Sequence, residues 1–283
     1  MADWNVAGAA LPGEFGVLLL LALLVSSVGF YRFVYFISIG YGYSVTAMAG
    51  AAVLLFRAEL SVFTVVQAVL LAAYGLRLGT YLLLRELRTS YRQRELDEVN
   101  QRSAGITRPI KVLIWGVVAL LYVLMISPLV FNLAAERATG VPANPAIQTV
   151  GVIIAALGLG LEAAADRQKS AYKARNASRF CDEGLYRVVR YPNYLGEVIF
   201  WLGNWTAGLA AYTHGLAWAI SLVGLVAIVL IMINSTMMLE RKQDDRYGDR
   251  DDYQDYRRSV PILFPLVPVY TFRPISSRID LRL

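Results

Sequence analysis

Apolar residues fall into seven stretches along the chain, at about 14–37, 40–56, 61–85, 110–133, 146–165, 194–212 and 214–238. Each is close to the roughly 20 residues that a helix needs to cross a bilayer. No basic residue precedes the first stretch and no clear small-residue cleavage site follows it, so it predicts a retained helix rather than a signal peptide. The pattern predicts an all-α integral membrane protein with seven transmembrane helices. The longest segments between stretches, Glu86–Pro109, Asp166–Pro192 and the tail from Arg241, are too short to bury cores of their own. One membrane domain over residues 1–283 is therefore expected, and no inverted repeat of the transporter kind is visible.

Polar residues inside these stretches keep helical spacing. In the third, Gln67, Tyr74, Arg77, Tyr81, Arg85 and Arg88 follow at steps of 7, 3, 4, 4 and 3, which places all six on one face. Snorkelling to the membrane edge accounts for Arg85 and Arg88. It accounts poorly for Arg77, which lies deeper. In the fifth stretch Glu162, Asp166, Lys169 and Lys173 follow at 4, 3 and 4. A ladder of ion pairs explains such a stripe on a helix in water, but Glu162 sits within the apolar run Leu157–Ala165. The sixth stretch opens with Arg190-Tyr191-Pro192-Asn193, a helix start. Asn193, Glu197, Trp201 and Asn204 then share a face at 4, 4 and 3. A carboxylate near a helix N-terminus is favoured by the macrodipole alone, yet that explanation predicts apolar neighbours and meets Asn and Trp. Asn234, near the end of the seventh stretch, reads as packing glue.

Charge adds an orientation. With the N-terminus outside and the C-terminus cytoplasmic, 24 of the 27 Lys and Arg residues fall on the inner side, Arg57 and Arg137 fall outside, and Arg77 is within a span. The net charge of +6 is thus mostly a topology signal, and no soluble basic face for nucleic acid exists. Composition agrees, at 57% hydrophobic and 17% charged. One cysteine, Cys181, and one histidine, His214, leave an internal disulfide, a His/Cys zinc site, a bis-histidine haem and a Ser-His-Asp triad without their parts, so no metal is expected. The three stripes end on the same cytoplasmic side. They outline a pocket with a basic mouth, suited to a phosphate-bearing cofactor, and an apolar depth, suited to a lipid-like substrate. Gly158-Leu-Gly160 lacks the strand that a dinucleotide fingerprint needs and reads as helix packing.

Several blocks carry a resemblance. They are Ala165-Asp-Arg-Gln-Lys-Ser-Ala-Tyr-Lys173, Gly184-Leu-Tyr-Arg-Val-Val-Arg-Tyr-Pro-Asn-Tyr-Leu-Gly-Glu197, Trp201-Leu-Gly203 and Tyr74-Gly-Leu-Arg77-Leu-Gly-Thr-Tyr81. The ending Glu240-Arg-Lys-Gln-Asp-Asp-Arg-Tyr-Gly, Asp252-Tyr-Gln-Asp-Tyr256 and Pro261 joins them. Together, over about residues 70–265, they resemble the steroid 5α-reductase family and the related membrane sterol C14 and C7 reductases. The resemblance implies a seven-helix bundle that takes NADPH from the cytoplasm and reduces a C=C bond in a steroid or sterol-like lipid drawn from the membrane. It implies a cofactor set of Arg77, Arg88, Glu162, Asp166, Lys173, Arg179, Arg190, Asn193, Glu197 and Glu240. Tyr74 and Glu197 would be catalytic, and Tyr74 and Trp201 would face the substrate.

Two departures stand out. Arg190-Tyr191-Pro192 replaces the family's Arg-His-Pro. The glutamate that pairs with the third-span tyrosine is missing, because no Asp or Glu lies between Glu14 and Glu59. Tyr41, Tyr43 or Gln67 would take its place, with Tyr41 and Gln67 then among the substrate residues. The competing reading is a membrane methyltransferase that uses S-adenosylmethionine, of the isoprenylcysteine or phospholipid type. Asn193, Gly196-Glu197 and the Asp166/Lys169 stripe weigh against it, as does Glu240-Arg241 where a paired Glu-Glu is common. A transporter is a more distant alternative.

Overall fold

A computed structural model of the chain describes residues 4–6, 9–57, 60–87 and 105–272. Among the described residues, a short antiparallel hairpin, β1 (Trp4–Val6) with β2 (Ala9–Leu11), precedes eight α-helices. These are α1 (Glu14–Ser26), α2 (Ile39–Leu55), α3 (Val62–Leu87), α4 (Arg108–Thr139), α5 (Pro145–Arg175), α6 (Pro192–Ala207), α7 (Gly215–Tyr247) and α8 (Asp251–Ser259). Among the described residues, five segments are long and apolar enough to cross a bilayer: Phe33–Leu55, α3, α4, α5 and α7. The chain is a helical, multi-pass membrane protein.

The first and sixth expected spans form shorter helices. α1 has 13 residues and gives way to a 3-10 turn at Ser27–Phe30. Ser26 Oγ donates to Ala22 O at 2.6 Å and Ser27 Oγ to Leu24 O at 2.7 Å, hydroxyls that compete for the carbonyls of the last turn. α6 has 16 residues, about 24 Å of rise, before the chain turns at Gly208. Conversely, α5 and α7 run past their apolar stretches, so the stripe from Glu162 to Lys173 lies on one continuous helix.

The chain divides into two compact units, Met1–Ile153 with Asn204–Leu225, and Ile154–Gly203 with Val226–Leu283. In the first, α2 and α3 touch backbone to backbone. A Cβ on Gly42 would lie 2.7 Å from Gly75 O and from Gly79 N, and one on Gly75 would lie 2.3 Å from Gly42 O. Small residues permit this approach, and Thr46 Oγ1 bridges the crossing with a bond to Ala72 O at 3.2 Å. A buried amide cluster lies in the same unit: Gln67 Nε2 donates to Asn204 Oδ1, Asn132 Nδ2 donates to Gln67 Oε1, and both bonds are 2.9 Å.

The second unit repeats the device between α5 and α6. A Cβ on Gly158 would lie 2.3 Å from Phe200 N, and one on Gly196 would lie 2.6 Å from Glu162 N. Gly158 is thus a helix-packing residue. Tyr191, Ile262, Leu263 and Phe272 form a core cluster at the C-terminal end of this unit.

Candidate functional site

In the first unit the close crossing of α2 and α3 has a chemical consequence. It sets Tyr41 beside Tyr74, with their hydroxyls 2.8 Å apart. Both rings are buried, at 6% and 0% exposure. Tyr41 also stacks on Tyr122 of α4 at 5.2 Å, and the Tyr122 hydroxyl donates to Phe36 O. Three phenols from three helices therefore stand in one cluster. Of the three groups expected to stand in for the missing glutamate, the structure joins Tyr41 to Tyr74. Tyr43 lies instead 3.4 Å from Thr80 Oγ1, and the Gln67 amide is engaged by Asn132 and Asn204. Arg77 lies half-buried on α3, three residues beyond Tyr74. Arg88 lies outside the described residues.

In the second unit the glycine contact between α5 and α6 brings together two acidic positions. Glu162 and Glu197 are 3% and 5% exposed, and Gly196, next to Glu197, abuts the Glu162 backbone. Asp166 is half-buried one turn further along α5. Trp201 is 2% exposed and meets Phe200 edge-on at 5.2 Å. Asn193 is at the first turn of α6, and its Oδ1 is buried without a hydrogen-bond partner.

The basic residues of this unit have set partners. Lys173 Nζ donates to Arg179 O and, at 2.9 Å, to Tyr247 Oη, and it stands 5.3 Å over the Tyr247 ring. Arg179 lies 3.2 Å from Asp182 and 3.6 Å from Asp252, and remains exposed. Hydrogen bonding to Arg250, with Arg179 adding, holds the Asp252 carboxyl below its ordinary pKa. Phe180, Tyr247 and Tyr253 pack together, with Tyr256 against them. Burial raises the pKa of the Tyr253 and Tyr256 phenols, and it also pushes the Cys181 thiol up.

Arg190 and Glu240 are paired with each other at 2.9 Å. Arg190 also donates to Tyr270 O, and Phe272 N–H donates to Glu240 Oε2 at 3.1 Å. Arg190 Nε and Nη1 are buried without hydrogen-bond partners. Such donors, and the Asn193 acceptor, fit a ligand that carries acceptor oxygens and an amide.

Sequence reasoning overlooked a polar face on α4. Tyr122, Asn132 and Glu136 lie 10 and 4 residues apart, which keeps them on one side of the helix. Glu136 accepts bonds from Ser61 N–H at 3.1 Å, Ser61 Oγ at 2.6 Å and Thr64 Oγ1 at 2.8 Å, which caps the start of α3. The spacing was available as a signal.

No curated protein and no solved structure matches the chain. A protein-family comparison matches residues 29–260, from the turn after α1 to the end of α8, to DUF1295, described as a protein of unknown function. The chain belongs to the DUF1295 family.

Proposed function

We propose that the protein is an NADPH-dependent reductase of an activated C=C bond in a steroid-like lipid, with a 3-oxo-4-ene steroid as the leading substrate. The observation that carries this reading is the buried Tyr41–Tyr74 hydroxyl pair. A phenol with an unperturbed pKa of about 10 stays neutral near pH 7 and donates a strong hydrogen bond. Tyr41 donating to Tyr74 polarises the Tyr74 O–H, because bonds in a chain reinforce one another. Tyr74 then donates to the substrate carbonyl oxygen as negative charge develops there. When bound, NADPH would supply a hydride for the β-carbon, and the α-carbon would take its proton from water or a polar side chain. Asn193 and Glu197 hold the amide end of the cofactor. Lys173 and Arg179 hold its extra phosphate, and Arg77, Glu162, Asp166, Arg190 and Glu240 complete the cofactor set. The reading includes seven spans, with the N-terminus outside and the cofactor residues facing the cytoplasm. It is supported by the block resemblance, by the burial of the two carboxylates Glu162 and Glu197, and by the basic excess on one side.

The test is titration of the purified protein in detergent with NADPH, NADH and S-adenosylmethionine, followed by steroid enone. NADPH should bind most tightly and be consumed as the conjugated-enone absorbance disappears. A Lys173→Ala, Arg179→Ala double variant should weaken NADPH more than NADH, since each charge-assisted contact contributes about 1.5–3 kcal/mol. Binding of S-adenosylmethionine without NADPH would overturn the reading in favour of methyl transfer.

A further inference from the structure

The segment after α8 runs Pro261-Ile-Leu-Phe-Pro-Leu-Val-Pro-Val-Tyr-Thr-Phe272 without a charged side chain. Its two faces are used differently. Ile262, Leu263 and Phe272 are buried against Tyr191, and Phe264 and Val269 pack onto the same cluster. Pro265, Leu266, Val267 and Pro268 are all exposed, and Leu266 is 94% exposed. Four consecutive exposed apolar residues are costly in a loop that faces water.

The height of this loop is fixed by its packing. The cluster it joins includes Ile233, Met237 and Leu239, the last apolar turns of α7. On the same turns Leu230, Ile231 and Met238 are 59%, 40% and 53% exposed, the outward surface of a helix long and apolar enough to span a bilayer. Exposed Arg241 and Lys242 follow at once. The loop is thus mounted where the apolar surface of α7 gives way to charge.

Its backbone suits that level. Pro261, Pro265 and Pro268 have no N–H to satisfy. Val267 N–H donates to Phe264 O at 3.2 Å, Val269 N–H to Val267 O at 2.7 Å, and Ile262 N–H to Val269 O at 2.8 Å across the neck. Internal bonding of this kind lowers the cost of leaving water. The neck is also anchored, because Arg190 N–H donates to Pro261 O at 2.9 Å and Phe272 N–H donates to Glu240. Arg258 is exposed just before the loop, and Arg273, Arg278 and Arg282 follow it in sequence, a distribution that favours anionic lipid headgroups.

We propose that residues 264–270 seat in the headgroup–acyl boundary of the leaflet that borders the C-terminal end of α7, with Leu266 and Val267 in contact with lipid. The occupant of this surface is bilayer lipid, because the loop continues the outward apolar surface of α7. The proposal stands apart from the reductase reading and needs no cofactor.

The test uses the full chain with Cys181→Ala, which removes the one native thiol. Leu266→Cys is labelled with a small environment-sensitive fluorophore. The protein is then reconstituted in phosphatidylcholine–phosphatidylglycerol vesicles containing a lipid spin-labelled near its headgroup. Asp255→Cys on α8, an exposed position, serves as the water-facing control. The spin-labelled lipid should quench the label at 266 and spare the one at 255, and aqueous iodide should quench 266 several-fold less than 255. Equal iodide quenching at the two positions would overturn the proposal. So would protection at 266 that rises with protein density and ignores the quenching lipid, which would mark a second copy of the chain. Val267→Cys gives the same reading should Leu266→Cys fail to fold.

Discussion

Arg190 and Glu240 form an ion pair closed to solvent, with Nη2 and Oε1 2.9 Å apart and side-chain exposures of 0% and 2%. The pair joins the start of α6 to α7, and through Tyr270 O and Phe272 N–H it also holds the C-terminal segment. Removing one partner leaves a buried charge uncompensated. Glu240→Ala should therefore cost about 3–5 kcal/mol, read as a large drop in the thermal midpoint in detergent. Glu240→Gln keeps an acceptor for Phe272 N–H and should lose less. A double Arg190→Met, Glu240→Leu variant should recover part of the loss. An unchanged midpoint in Glu240→Ala would show that the pair contributes nothing net.

The Tyr41–Tyr74 pair separates direct from indirect action. Tyr74→Phe keeps the ring and removes the donor, so turnover of a steroid enone should fall on the order of 100–1000-fold. Tyr41→Phe removes only the group behind it and should give a smaller loss. NADPH affinity should stay near wild type in both. An equal and slight effect of the two substitutions would make the pair a packing contact.

Alkaline pH should act on the aromatic cluster of the second unit. Burial raises the Tyr253 and Tyr256 phenols above their ordinary pKa, and burial does the same for Tyr191. A raised folded-state pKa means that the folded protein holds the proton more tightly than the unfolded chain does. Their contribution is therefore complete below about pH 10, the unfolded value, and is lost as pH climbs from there through the folded values. The thermal midpoint should be insensitive to these groups between about pH 7 and 9 and fall beyond about pH 10. Tyr253→Phe, which also gives up the 2.9 Å bond to Asp244, should lower the midpoint near neutrality and flatten the alkaline fall. A fall of equal steepness in that variant would assign the alkaline effect to other groups.

The long helices and their polar faces were legible in the sequence because their spacing is local. The apolar run of α7 and the stripe from Glu162 to Lys173 need nothing beyond the helical repeat. The breaks were harder to read. α1 ends where Ser26 and Ser27 turn their hydroxyls back on the helix, a choice that an apolar count ignores. The sequence narrowed the group beside Tyr74 to three residues but could not choose among them, since Tyr41, Tyr43 and Gln67 are equivalent as polar residues in apolar stretches. The answer depends on Gly42 meeting Gly75 and Gly79, a contact between helices. The Arg190–Glu240 pairing is likewise long-range, spanning fifty positions.

The α5–α6 crossing offers a matched pair of glycine substitutions. At Gly196 a Cβ would meet Glu162 N at 2.6 Å and Gly158 O at 2.8 Å, both backbone atoms that cannot rotate away. Gly196→Ala must push the two helices apart, at a cost of about 1–3 kcal/mol for overpacking. Because Glu162 and Glu197 flank that contact, NADPH affinity should fall as well. Gly160, two residues beyond Gly158, has nothing within 4 Å of its Cβ position. There an alanine gains about 0.5–1 kcal/mol in a helix interior, so Gly160→Ala should be at least as stable as wild type and bind NADPH normally. Thermal midpoints and NADPH titrations on both variants decide the matter. Equal behaviour of the two would mean that the close approach of α5 and α6 does not set the spacing of Glu162 and Glu197.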